Sequence, residues 1–183
     1  MARSENTYAT AVVLIPPPEV WAPIQEIRAR RDRHYHRWMP HVTLLYPFRP
    51  REEFPARVEQ FAAVCADRAP FTMTLSRFEF FFHGRESYTL WLAPEPKNPS
   101  VQLQAALQRT VPECSDVSRY PGGFTPHLSV GQARGHAAKV NLLASLQQTW
   151  RPLSFQVTEI SLIWRGEPPD DVFRVDLTIP LGQ

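Results

Sequence analysis

Two short stretches decide how the chain is read: Pro40-His41-Val42-Thr43-Leu44 and Pro126-His127-Leu128-Ser129-Val130. Their histidines stand 86 positions apart, and an aromatic residue, Trp38 or Phe124, precedes each by three. Polar and apolar residues alternate in both, and a period of two marks a strand, on which residues i and i+2 share a face. His41 and Thr43 therefore point one way and Val42 and Leu44 the other, and His127 and Ser129 are opposed in the same manner to Leu128 and Val130. Proline before each histidine holds the start of the strand extended, at a position that tolerates a missing N–H. Each copy thus offers an imidazole and a hydroxyl from one polar strand face.

The repeat continues outward. Further blocks begin at Pro70 and Pro152, 82 positions apart. Apolar residues alternate at Phe71, Met73 and Leu75, then change phase to Phe78, Phe80 and Phe82; the second copy runs Leu153, Phe155, Val157, then Ile160, Leu162, Trp164. A one-residue change of phase within a strand is what a β-bulge produces. Each block closes at a glycine, Gly84 or Gly166. Helical stripes fill the intervals: Val20, Ile24 and Ile27; Phe54, Val58, Phe61, Ala62 and Cys65; Val101, Leu103 and Leu107 after an Asn98-Pro99 cap; and Val140, Leu143 and Leu146 between His136 and Trp150. Tyr8–Ile15, Tyr88–Leu92 and Val172–Ile179 read as further strands. The expectation is an α+β fold with pseudo-twofold duplication. One bilobal domain spans 1–183, its lobes about 8–84 and 85–180 with exchanged strands. Each lobe is a mostly antiparallel sheet with helices outside, and a cleft lies between them. Two copies describe a two-lobed domain, not a solenoid.

Composition agrees with this. The 183 residues are 43% hydrophobic and 21% charged, enough to bury a core. Apolar runs are short and cut by proline, so no segment spans a bilayer, and Ala9–Ile15 is too short and too quickly ended by three prolines to serve as a signal peptide. Cys65 and Cys114 read as free thiols of a reducing, cytoplasmic or nucleocytoplasmic compartment. A net charge of +2 does not indicate a whole-surface polyanion binder. The charge is uneven, however: five arginines and two histidines lie between Arg28 and Arg37 against the single acid Asp32. That run reads either as a solvated helix end or as an electrostatic approach to phosphate.

Two imidazoles and two hydroxyls facing one cleft suit phosphodiester chemistry without a metal or other cofactor. One neutral imidazole takes a proton from water or a hydroxyl while the other, protonated, gives one to the leaving oxygen. Thr43 and Ser129 can donate to the non-bridging oxygens, where charge develops. A lone H-x-[ST] is more often a satisfied core histidine. Two copies in matching strands reverse that judgement.

The pair His41-x-Thr43 and His127-x-Ser129, one per half and each preceded by proline, resembles the 2H phosphoesterase superfamily, which includes the bacterial RNA 2′,3′-cyclic phosphodiesterases once called 2′-5′ RNA ligases. The stretch from Arg33 to Phe48 is most similar to a subgroup that includes the C-terminal module of a vertebrate leukocyte receptor cluster protein. The resemblance covers about Tyr8 to Ile179. It implies a bilobal fold and metal-independent cleavage of 2′,3′-cyclic phosphate RNA ends, 2′-5′ linkages or small cyclic nucleotides, and the chain is expected to act as a monomer. His41 and His127 would be the acid/base pair, with Thr43 and Ser129 as phosphate ligands.

Around the motifs, Tyr46 and Phe48 are candidates for base stacking at the cleft mouth, or for packing of a loop on its own lobe. Trp38 and Phe124 read as core wedges beneath the histidine strands. His83 and Arg165 are repeat equivalents at the ends of the bulged strands, where an arginine can clamp phosphate. The loop Ser118–Gly123 leads flexibly into the second motif. Two rivals remain. A zinc hydrolase would use His34, His36 and His41, but leaves the second motif unexplained. A binding module would hold nucleotide or RNA ends without turning them over.

Overall fold

The period-two stretches fold as strands and the intervals as helices. The computed structural model describes residues 5–182, so the outermost residues of the expected domain span lie outside the described residues. The elements run β1 (Thr10–Leu14), α1 (Trp21–Arg31), β2 (Val42–Leu45), α2 (Phe54–Ala66), β3 (Phe71–Phe82), β4 (Ser87–Glu95), α3 (Lys97–Thr110), β5 (Leu128–Arg134), α4 (His136–Thr149), β6 (Leu153–Val157), β7 (Glu159–Trp164) and β8 (Arg174–Pro180). A β-α-β-α-β unit occurs twice, its last strand divided into β6 and β7 in the second copy, and β8 follows without a counterpart. Two antiparallel sheets result, ordered β2-β1-β7-β8 and β5-β4-β3-β6. The sheet of β1 and β2 thus takes β7 from the second half of the chain, and the sheet of β4 and β5 takes β3 from the first.

The expected second bulged strand is in fact two strands. β3 stays in one sheet through its irregularity between Leu75 and Arg77, because the nine-residue β4 pairs with it on both sides, from Thr74↔Glu95 to Phe82↔Tyr88. At the equivalent place the second copy leaves its sheet at Thr158 and continues as β7 in the other. The five-residue β1 pairs only with Ser161 to Trp164 and does not reach back across the break. The front halves of the two copies pair with each other, Met73 opposite Phe155. These two residues are repeat equivalents, so the pseudo-twofold passes between them.

The main core lies between the sheets and the helices. It contains Val12, Leu44, Leu45, Phe61, Leu90, Leu92, Leu128, Val130 and Leu162, all buried. Burying each such side chain is worth roughly 1.5–3 kcal/mol. The helices cross between halves: α1 packs on β5 and α3 on β2. Gly131 permits the first of these contacts. A Cβ there would lie 2.5 Å from Arg31 Cβ and 2.8 Å from the Arg31 carbonyl oxygen.

Three other expectations need correcting. α3 starts at Lys97 after Pro96, so Asn98 is not its cap; Pro99 lies in the first turn, where its missing N–H is harmless. In α4, Val140 is exposed and the buried residue is Lys139, whose ammonium sits 3.9 Å from the centre of the Phe80 ring and 5.4 Å from that of Tyr88. Phe80 and Phe82 leave the core at the far end of β3, where they are exposed. Among the described residues no helix is long and apolar enough to cross a membrane.

Candidate active site

β2 and β5 are the outer strands of their sheets, and they adjoin each other. The two motifs therefore meet. Each histidine lies just outside its strand, since Val42 and Leu128 are the first paired residues. Both strands then bulge at the same point. Thr43 pairs with Val13 and Leu45 with Val12, leaving Leu44 extra; Ser129 pairs with Trp91 and Gly131 with Leu90, leaving Val130 extra. A bulge re-aims the side chains around it. Here it is applied symmetrically, and Thr43 and Ser129 stay half-buried while Val42, Leu44, Leu128 and Val130 enter the core.

The imidazoles are held alike. His41 Nδ1–H donates to the Met39 carbonyl oxygen at 2.7 Å, and His127 Nδ1–H to the Thr125 carbonyl oxygen at 2.8 Å. A carbonyl oxygen can only accept, so Nδ1 carries the proton in each ring and Nε2 has the free lone pair of the neutral form. Burial disfavours the cationic ring. It is the main cause that pushes His41 down to about 4, with Arg28 and His127 adding to the effect against the hydrogen bond to Met39. Burial also lowers His127, again opposed by its carbonyl partner.

The walls differ between the halves. The Trp38 indole stacks on His41 with ring centres 4.6 Å apart, and on Phe173 with ring centres 3.7 Å apart. Ala11, Val13, Ile163 and Phe173 form a small buried apolar floor under it, separate from the main core. His127 has instead the edge of Phe81 at 4.8 Å and Trp91 at 5.8 Å. Phe124, the counterpart of Trp38, lies in the main core as expected, whereas Trp38 belongs to the site wall. Tyr46 meets Trp38 edge-on at 5.3 Å, and its hydroxyl donates to the Tyr8 carbonyl oxygen.

A buried ion pair positions this wall. The Arg28 guanidinium, 2% exposed, bonds Asp32 at 2.9 Å and donates to the Trp38 carbonyl oxygen at 2.9 Å. Asp32 also accepts from the His34 backbone N–H at 2.9 Å and from Gln132 Nε2 on β5 at 3.2 Å. The Arg33 backbone N–H returns a bond to Gln132 Oε1 at 3.1 Å. The connection between α1 and β2 is thereby tied to the strand that carries the other histidine.

A family model described as the 2′-5′ RNA ligase superfamily matches residues 16–169, both motifs included. The chain belongs to this superfamily. It is 27% identical over 126 residues to GK0864 of Geobacillus kaustophilus (strain HTA426), a protein provisionally named a phosphoesterase, with 66% of this chain and 67% of that one aligned. Among solved structures it resembles E. coli LigT in complex with phosphate (TM-score 0.64, 18% identity, 98% and 100% of the two chains covered). It also resembles TT0787 of Thermus thermophilus (TM-score 0.59, 21% identity, 95% and 98% covered). These structures share the bilobal α+β fold.

In this superfamily member the remaining sequence candidates fall in different places. Phe48 is fully buried and packs on Phe54 and Phe61, so it is a core residue and not a stacking surface. The apolar residues of α2 reach it because the chain turns inward after Tyr46. Arg165 and His83 do occupy equivalent strand ends: the Arg165 N–H bonds the Ala9 carbonyl oxygen at 2.8 Å and the His83 N–H bonds that of Ser87 at 2.9 Å. Their side chains diverge. Arg165 lies 5.8 Å from the Phe173 ring centre and acts on the Tyr46 phenol, on the His41 side of the site. His83 is exposed, with Nε2 2.9 Å from Thr89 Oγ1. His34, His36 and His41 do not converge as a ligand set, and His34 Nε2 accepts from Arg33 Nε. Among the described residues no three His, Cys, Asp or Glu side chains converge on a metal position. Phe81, Trp91 and Phe173 escape a sequence reading. Each sits in a continuous apolar or mixed run where alternation does not reveal the site face.

Proposed function

We propose that this chain is a metal-independent phosphodiesterase that opens 2′,3′-cyclic phosphate ends of RNA or related cyclic or 2′-5′ phosphodiesters. The observation that carries the reading is the matched pair of histidines. Each ring is oriented through Nδ1–H on a carbonyl two residues back, and each leaves Nε2 for proton transfer. In the proposed step a water oxygen forms a bond to phosphorus while one neutral Nε2 takes the water proton. The bond from phosphorus to one ribose oxygen breaks, and the Nε2–H of the other, protonated ring supplies its proton. The product is a phosphomonoester beside a free hydroxyl, and the two rings have exchanged protonation states. Thr43 and Ser129 donate to the non-bridging oxygens, where the developing charge makes each such bond worth about 3 kcal/mol. Because the rings are related by the pseudo-twofold, the orientation of the substrate sets which is base and which is acid.

Tyr46, held edge-on against Trp38, provides an aromatic surface for a base, and Arg165 a cation on the same side. Membership of the superfamily and the fold of LigT, crystallised with phosphate and with 3′-AMP, support a nucleotide phosphate as the ligand. Within the same proposal, the resemblance of Arg33–Phe48 supports membership of the leukocyte receptor cluster subgroup. The protein would act as a monomer in the cytoplasm or nucleocytoplasm.

The test is turnover of the four 2′,3′-cyclic mononucleotides and 2′-5′-linked dinucleotides in excess EDTA, by the parent and by a His41→Ala/His127→Ala double variant. Turnover by the parent alone is expected. Nucleotide binding without turnover by the parent would replace this reading with that of a binding module. Loss of activity in EDTA with recovery on zinc would refute the metal-free step.

A further inference from the structure

Beside the histidine site, the connection between α1 and β2 and the one between β7 and β8 border an open hollow of about 440 Å³, lined by Arg33, His34, His36 and Arg37 with Pro169, Asp171 and Val172 on the opposite side. We propose that this hollow is a second phosphate site, which takes a backbone phosphate of an RNA whose cyclic end lies between His41 and His127. The inference rests on the function proposed above.

Charge is the first argument. The run from Arg28 to Arg37 does not act as one basic patch. Arg28 is neutralised by Asp32 in the interior, and Arg30 pairs with Glu26 on the surface. The one carboxylate that borders the hollow, Asp171, is engaged by Arg37. Arg33 has no carboxylate partner among the described residues; its Nε donates to His34 Nε2 at 3.1 Å. That bond makes Nε2 of His34 an acceptor and leaves the ring's N–H on Nδ1. Burial, and then the neighbouring Arg33, lower the His34 imidazole below the usual histidine range. The hollow therefore carries surplus positive charge and a set of N–H donors that match phosphate oxygens, the guanidinium fork above all.

Preorganisation is the second. The backbone of this connection is hydrogen-bonded turn by turn: Tyr35 N–H to the Asp32 carbonyl, and Arg37 N–H and Trp38 N–H to the His34 carbonyl, at 3.0–3.1 Å. The Phe173 N–H fastens the facing connection to the Arg37 carbonyl at 2.8 Å. The donors are thus arranged before any ligand arrives, so little ordering is lost on binding.

Position is the third. Arg37 immediately precedes Trp38 and Val172 immediately precedes Phe173, and the Trp38–Phe173 stack is the wall between the hollow and His41. A chain that leaves the histidine site over this wall meets the hollow next. A 2′,3′-cyclic mononucleotide carries no phosphate besides the reacting one, so only a longer chain can fill both sites.

The experiment compares a 2′,3′-cyclic mononucleotide with a trinucleotide ending in the same cyclic phosphate, each at 50–200 mM NaCl. Parent, Arg33→Ala, Arg33→Glu and His36→Ala proteins are used. Arg33 and His36 are exposed, so these proteins should fold normally. Each phosphate contact adds about 0.7 to the slope of log affinity against log salt for a single strand, which is a two- to threefold change over this range. The parent's kcat/KM for the trinucleotide should fall more steeply with salt than that for the mononucleotide. Arg33→Ala should remove about 0.7 of the trinucleotide slope, and Arg33→Glu should lower trinucleotide kcat/KM further. Equal slopes for the two substrates, or a trinucleotide slope unchanged by both Arg33 substitutions, would overturn the second site while leaving the function intact. A parallel arm measures binding of a trinucleotide with a free 3′-hydroxyl. Weakening by Arg33→Glu with no turnover of either cyclic substrate would sustain the phosphate site and refute the phosphodiesterase. No weakening there would overturn the site independently of catalysis.

Discussion

Replacing His41 by asparagine should make the protein more resistant to acid, by an amount that follows from where the ring sits. Its neighbours are Trp38, stacked at 4.6 Å, and the Met39 carbonyl, and burial holds its pKa at about 4 against 6.5 for a free histidine. The unfolded chain takes up a proton at about pH 6.5 that the folded chain refuses until about pH 4. The unfolded state thus binds more protons in that window, and stability falls as pH falls through it. The displacement is about 2.5 pH units at about 1.36 kcal/mol each, so the full penalty is on the order of 3 kcal/mol, reached near pH 4, and about 2 kcal/mol is present at pH 5. Asparagine places an amide N–H where Nδ1–H lies and does not titrate. His127 titrates in both proteins and cancels in the comparison. Urea unfolding of parent and His41→Asn at pH 8, 6.5, 5 and 4 should show a stability difference that shifts in the variant's favour below pH 6.5 by these amounts. A difference that stays constant with pH would refute the reasoning, because His41 would then titrate alike in both states.

The other predictions concern the scaffold of the site. Arg28→Met leaves the Asp32 carboxylate buried without its cation and should destabilise by about 3–5 kcal/mol, a fall in Tm on the order of ten degrees by calorimetry; a loss below about 1 kcal/mol would show that Asp32 is rescued by solvent. Gly131→Ala sets a methyl 2.5 Å from Arg31 Cβ and should cost about 1–3 kcal/mol in urea, unlike Gly122→Ala, where an added Cβ meets nothing within 4 Å. Trp38→Leu removes the ring that fixes His41 and should lower kcat about ten- to a hundredfold while far-ultraviolet dichroism stays native; parental kcat would mean that the Nδ1–Met39 bond suffices to orient the imidazole.

The architecture is legible in the chain because the duplication repeats its constraints. The histidine-bearing strands and the helices between them recur at nearly constant offset, and the structure reproduces them; of the two expected bulged strands it keeps the first and divides the second. The chain shows less where two physical solutions share one pattern. A change of phase at Ser76 and at Thr158 looks the same in sequence; the first is a bulge and the second a crossing between sheets. The choice is made by the length of the neighbouring strand, β4 or β1. Asp32 reads as a lone acid in a basic run, yet it is the buried junction of Arg28, the His34 amide and Gln132, a contact that bridges 100 residues. Phe48 and Tyr46 share a strand-end spacing and separate because α2 offers Phe54 and Phe61 to one of them. The aromatic rings around His127 come from β3 and β4, whose apolar runs hide which face looks into the cleft.

The proposed reaction needs the two histidines to work as one neutral and one protonated ring. The measurement is kcat/KM for a 2′,3′-cyclic mononucleotide from pH 4 to 9 in chelator, for the parent and for His41→Asn and His127→Asn separately. Burial lowers both rings in the free protein, so the parent profile should be a bell with its maximum below pH 6.5, between the two macroscopic pKa values. Each single variant should lose about 10²- to 10⁴-fold in rate across the range. A profile with no acidic limb, or either variant turning over at the parental rate, would contradict the paired mechanism.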